Sequence, residues 1–181
     1  MNNSGKIFQK LLGVTVLLLS LVIPSCTRQG RGEHVALGES VPFFSVTTTD
    51  GRDFSSETIL GQRALIVFFD TWCPDCKEEL PQVQHALDIL SGADVSFSML
   101  AISRKSDERS VKDFWLANGL TIPVAVPGNT SVFELFDRGS GTGVPQGYLV
   151  DEEGVVRGFF SDKDLISAER ICEFLFEDKN L

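Results

Sequence analysis

Histidine is nearly missing from this 181-residue chain, which holds only His34 and His85, and tyrosine occurs once. Basic residues are outnumbered, 16 against 25 acids, for a formal charge of −9, and no basic stripe is present. That balance excludes a nucleic-acid surface, which needs clustered Lys and Arg. Cysteine is sparse as well: Cys26, Cys73, Cys76 and Cys172 do not make a disulfide scaffold. Together with the two histidines they give no second paired spacing, so a zinc or copper site has too few ligands. No internal repeat or low-complexity tract is visible, and the length allows one ordinary domain plus appendages. What the chain does have is apolar bulk. A hydrophobic content of 43% with 14 Phe is ample for a core and excludes disorder as the default.

The chain is organised around residues 64–81. An apolar run from Ala64 to Phe69, rich in Ile, Val and Phe, reads as a strand buried on both faces. Leu80, Val83, Ala86, Leu87 and Leu90 then recur at helical spacing, which predicts a helix over 74–91. Between the two stands Cys73-Pro74-Asp75-Cys76. Cys73 therefore falls at a helix N-terminus, where unpaired N–H groups and the helix dipole favour a thiolate. Cys76 lies one turn inside, near enough to close a disulfide. A purely structural bridge over two intervening residues closes a very small loop and adds little stability. The pair reads as redox-active, with Cys73 attacking a partner disulfide and Cys76 resolving the mixed disulfide.

Residues 1–25 read as a targeting segment, with Lys6 and Lys10 ahead of an apolar stretch at 11–23 too short to span a bilayer comfortably. Residues 26–36, with Gly30, Gly32, Arg28 and Arg31, read as a flexible tether, and His34 within it as solvent-exposed and idle. The domain is expected over 37–181. Residues 41–54 carry two short β runs around Asp50-Gly51, a hairpin signal. A strand at 94–102, a helix at 107–118 ending on Asn118-Gly119, a strand at 122–126 and a short helix at 132–136 follow. After a small-residue loop at 139–143 come a terminal hairpin, 147–150 with 155–160, and a helix carrying Leu165, Ala168, Cys172 and Leu175. Trp115 reads as core filler and Cys172 as a buried inert thiol. Strands alternating with helices imply an α/β three-layer sandwich.

The segment Val67-Phe68-Phe69-Asp70-Thr71-Trp72-Cys73-Pro74-Asp75-Cys76-Lys77-Glu78-Glu79-Leu80-Pro81 resembles the active site of the thioredoxin superfamily, in particular the TlpA/ResA-like thiol–disulfide oxidoreductases of the bacterial cell envelope. The resemblance implies a thioredoxin-like sandwich with a central mixed sheet, an N-terminal β-hairpin and a βαβ insertion. It implies that Glu79 serves the buried cysteine as proton donor or acceptor, the more so because Val67 occupies the position where plain thioredoxins hold a buried Asp. Val144-Pro145 resembles the cis-proline facing the C-x-x-C, which presents the Val144 backbone to an extended substrate. Gln146 departs from the usual Thr. Trp72 is expected to shield one side of the disulfide, and Pro81 to kink the helix. Ser25-Cys26 resembles a lipobox, implying a lipidated Cys26, and Thr27 in place of Asp points to an outer-membrane address.

Asp70 and Asp75 flank Cys73, and no histidine stands between the cysteines. Carboxylates oppose a thiolate, and strong oxidants draw their character from a stabilised reduced form, so the expected activity is that of a disulfide reductase. The implied partners are disulfide-containing envelope proteins, apocytochromes c among them, a membrane thiol-reductant donor, and the membrane itself through the lipid anchor; no cofactor is expected. Two other readings stand beside this one. A thiol peroxidase of the redoxin AhpC/TSA branch would need a Pro-x-x-x-Thr-x-x-Cys signature, for which Asp70 is out of place. A non-enzymatic metal- or haem-handling module would want a histidine before Pro145, and residues 119–143 hold none.

Overall fold

The apolar run at the centre of the chain forms β3 (Arg63–Phe69), whose last six residues are all buried. The computed structural model describes residues 33–176, so the targeting segment and Cys26 lie outside the described residues. A strand with apolar side chains on both faces needs cover on both, and β3 takes the middle of a five-stranded sheet. It pairs in parallel with β4 (Phe97–Ser103) and antiparallel with β6 (Gln146–Val150). The edges are β5 (Val124–Ala125), parallel to β4, and β7 (Val156–Ser161), antiparallel to β6, giving the order β5-β4-β3-β6-β7. A separate hairpin of β1 (Ser45–Thr47) and β2 (Asp53–Ser55) turns at Gly51, whose φ of +85° is open to glycine.

Helix α1 (Pro74–Ser91) connects β3 to β4, and α2 (Glu108–Ala117) connects β4 to β5. Both are crossovers between neighbouring parallel strands, and right-handedness puts them on the same face of the sheet. On that face Trp115 of α2 packs against Phe69 with the rings tilted and their centroids 4.8 Å apart. Helix α4 (Ala168–Phe176) packs beside α1. The opposite face belongs to α3 (Ser131–Asp137), whose Phe133 and Phe136 meet Phe68 at 5.5 and 5.0 Å. Adjacent Phe68 and Phe69 thus serve opposite layers, as alternation along a strand requires. The expected mixed α/β sandwich is the fold observed.

Three expectations need correction. The strand expected over 122–126 pairs only at Val124–Ala125, because Pro123 and Pro127 bracket it and cannot donate to a ladder. The residues just before 37 are not all tether: Val35 is fully buried and donates its N–H to the Phe136 carbonyl at 2.9 Å. His34 is not idle, since its ring lies flat on Phe159 at 3.8 Å and covers apolar surface of β7.

Candidate active site

Strand β3 delivers the chain to the carboxyl edge of the sheet, and residues 70–73 turn it into α1. Pro74 opens the helix, where a missing N–H costs nothing and a fixed φ suits the first turn. Cys73 is the N-cap in extended conformation, and its sulfur accepts a hydrogen bond from the Cys76 N–H at 3.3 Å. The Cys73 thiol in turn donates to the Val144 carbonyl at 3.2 Å, and the Val144-Pro145 bond is cis. Cys73 keeps 5% of its surface exposed, whereas Cys76 keeps none. Both are free thiols. Burial pushes the Cys76 thiol well above its ordinary range, the hydrogen bond to Cys73 and the charges of Cys73 and Glu79 push the same way, and the Asp70 backbone N–H opposes them.

Glu79 stands one turn beyond Cys76 on the same side of α1, and 1% of it is exposed. Its Oε1 accepts the Ile166 N–H at 3.4 Å, while Oε2 has no hydrogen-bond partner among the described residues. Burial lifts its carboxyl to about 8; the Ile166 N–H works against the rise, and the nearby Asp75 charge adds to it. Asp75 is half-buried in the first turn, and α1 continues through Pro81.

Trp72 is 60% exposed, and its ring lies under the Arg104 guanidinium, 5.6 Å from centroid to Cζ. One site expectation changes. Asp70 is not a free negative charge beside Cys73. Its Oδ2 is held by Arg104 Nη2 at 2.8 Å and Nε at 2.9 Å, and its Oδ1 by the N–H groups of Lys105 and Ser106 at 2.7 and 3.1 Å. Sequence reasoning missed this pairing. A signal existed, since a carboxylate ending a wholly apolar strand needs a buried partner, and Arg104 directly follows β4. Gln146 also means more than a departure from Thr. It is fully buried, donates to Asp137 Oδ1 at 2.8 Å and the Thr142 carbonyl at 3.2 Å, and accepts the Tyr148 hydroxyl at 2.8 Å.

The arrangement is a sulfur with a small exposed fraction, a fully buried second sulfur, a buried carboxyl beside it and the Val144 main chain against the first sulfur. Such a set can trade a disulfide with an extended peptide. The AhpC/TSA family profile matches residues 37–159. The chain is 29% identical over 150 residues to sporulation thiol-disulfide oxidoreductase A of Bacillus subtilis, covering 82% of this chain and 87% of that protein. It is 26% identical over 124 residues to the thiol-disulfide oxidoreductase ResA of Bacillus cereus, 68% and 69% of the two chains. The crystal structure of StoA from Bacillus subtilis superposes with a TM-score of 0.61 at 27% identity, covering 74% of this chain and 96% of that one. With the fold, the dithiol and the relatives in agreement, the chain belongs to the AhpC/TSA family and is a thioredoxin-like thiol–disulfide oxidoreductase.

Proposed function

We propose that this oxidoreductase is a disulfide reductase of the bacterial cell envelope, held at a membrane by lipid on Cys26 and drawing electrons from a membrane thiol donor. The observation that carries the direction is Cys76, fully buried with Glu79 next to it. Strong oxidants stabilise their reduced, thiolate form. Here burial and a neighbouring carboxyl do the reverse, so the oxidised Cys73–Cys76 pair is favoured and the dithiol gives up its electrons readily.

Cys73, as thiolate, attacks one sulfur of a substrate disulfide; that bond breaks, and the departing sulfur leaves as a thiolate that takes up a proton. Val144 offers its main chain to the substrate segment during the attack. Cys76 then gives its proton to the Glu79 carboxylate and attacks the Cys73 sulfur. The mixed disulfide breaks, the second substrate sulfur leaves, and two electrons have passed to the substrate. The substrate class is disulfide-bonded envelope proteins, including the haem-binding cysteine pairs of apocytochromes c. Anchorage rests on the apolar stretch at 11–23 and the Ser25-Cys26 site. Among the described residues no helix is long and apolar enough to cross a membrane.

Equilibration of the Cys73–Cys76 couple against glutathione and dithiothreitol tests the direction. A potential at or below about −200 mV supports a reductase, and one near about −120 mV, the range of a strong oxidant, overturns it. Turnover of hydrogen peroxide in preference to insulin disulfides would reassign the site to a thiol peroxidase. Cys26→Ser should move the protein from the membrane fraction to the soluble one.

A further inference from the structure

Asp70 has no exposed surface, yet nothing in the exchange cycle above uses it. Its carboxylate is gripped by the Arg104 guanidinium, by two N–H groups and by the Ser106 hydroxyl at 3.3 Å. Ser106 also accepts the Thr71 N–H at 2.9 Å, so the turn that carries the C-x-x-C is tied to the loop after β4. The Asp70 main chain reaches the nucleophile, its carbonyl accepting the Cys73 N–H at 3.1 Å. Arg104 is 15% exposed and is held between two rings, Trp72 at 5.6 Å and Phe133 at 5.4 Å. An ion pair, its carboxylate fully buried and its guanidinium mostly so, therefore sits around the residue next to the nucleophile. A buried pair of this kind is a weak source of stability, and breaking it leaves one charge uncompensated.

We propose that Asp70 and Arg104 are positioning residues that set the redox potential of the dithiol, holding the C-x-x-C turn and Trp72 in place while cancelling each other's field at Cys73. This rests on the assignment of Cys73 and Cys76 as the exchanging pair. The two charges act on a thiolate with opposite sign, and that gives the pair a signature that mere stiffening of a loop lacks.

The test is the equilibrium constant of each purified variant with glutathione at neutral pH. Asp70→Asn keeps the shape and an acceptor for Lys105 and Ser106 but leaves Arg104 unopposed. The thiolate gains, and the constant should shift about tenfold toward the dithiol, about 30 mV upward. Arg104→Gln leaves the buried carboxylate unopposed and should shift it about tenfold the other way. The double variant should return close to the wild type, and Arg104→Lys, which keeps the charge, should stay close to it. Single variants that shift in the same direction, or do not shift, overturn the proposal. If Asp70→Asn does not fold, the contrast between Arg104→Gln and Arg104→Lys decides, and equal shifts in both overturn it. A wild-type protein that forms no reversible Cys73–Cys76 disulfide removes the functional assignment itself; a reversible couple indifferent to both charges removes only the clamp.

Discussion

The sulfur of Cys73 lies 3.2 Å from the main-chain oxygen of Val144, so the nucleophile and the edge that would pair with a peptide form one surface. Cys76 is behind that surface and fully buried. A visiting disulfide can reach the first sulfur and not the second. The order of events in exchange follows from that difference in access.

Replacing the second sulfur should therefore stop the cycle halfway. Cys76→Ser should still attack a substrate and accumulate covalent complexes that a reductant dissolves on non-reducing gels. Cys73→Ser should lose insulin reduction to the uncatalysed background and form no such complexes, because the remaining thiol is buried and strongly disfavoured as thiolate. Complexes formed equally by both variants would contradict the assigned order.

Gln146 holds together the Tyr148 hydroxyl, the Asp137 carboxylate and the Thr142 carbonyl. Gln146→Leu fills nearly the same volume but leaves the Tyr148 hydroxyl without its acceptor and Asp137 without one of its donors. Denaturant unfolding should show a loss of about 1–3 kcal/mol. Because Asp137 precedes the small-residue loop before Val144 and Thr142 lies within it, the variant should also reduce insulin more slowly. Unchanged stability would mean that the network adds nothing.

Much of this site was legible because its signals are local. The apolar run of β3, the 3.6-residue period of α1 and the C-x-x-C between them are read off adjacent residues, and the proline at 145 was placed by resemblance. The parts that escaped are joined by the fold. Asp70 and Arg104 stand 34 positions apart, and they meet because β3 and β4 run parallel with Phe69 opposite Ser103. Glu79 was singled out by resemblance, but its burial depends on the chain before α4 closing over it at Ile166. Gln146 and Tyr148 share a face of β6 by strand alternation, but no periodicity links Gln146 to Asp137 on α3. Local pattern finds elements; buried polar pairs need the topology.

Gly147 makes a sharper demand than any local pattern showed. A Cβ there would fall 1.8 Å from the Phe160 ring on the neighbouring strand, so the ring occupies the space a side chain would need. Phe160 is itself 1% exposed and cannot swing out freely. Gly147→Ala should cost about 3 kcal/mol or more, at the upper end of overpacking effects. Adding Phe160→Leu should recover part of that loss, a positive coupling in a double-mutant cycle. Additive losses would show that the ring does not create the constraint.

Glu79 should write its burial into two pH dependences. In the folded protein its carboxyl titrates near 8, against an ordinary value of 4.5 when the chain is unfolded. Between those values the native state keeps a proton that the unfolded state has released. Native proton binding exceeds unfolded binding, so stability falls as pH rises from about 4.5 to about 8 and is level in this respect on either side. Glu79→Gln should flatten that fall in denaturant unfolding measured from pH 5 to pH 9, and the variant should be the more stable of the two at the alkaline end. The same carboxylate is the base for Cys76, so release of the mixed disulfide should accelerate as Glu79 ionises and inflect near pH 8. In Glu79→Gln that inflection should vanish and the release step should slow by about 10²-fold, with attack by Cys73 little changed. Stopped-flow release of a chromophoric thiol from a trapped Cys73 adduct separates the two steps. An inflection that survives the substitution would assign the proton transfer to another group.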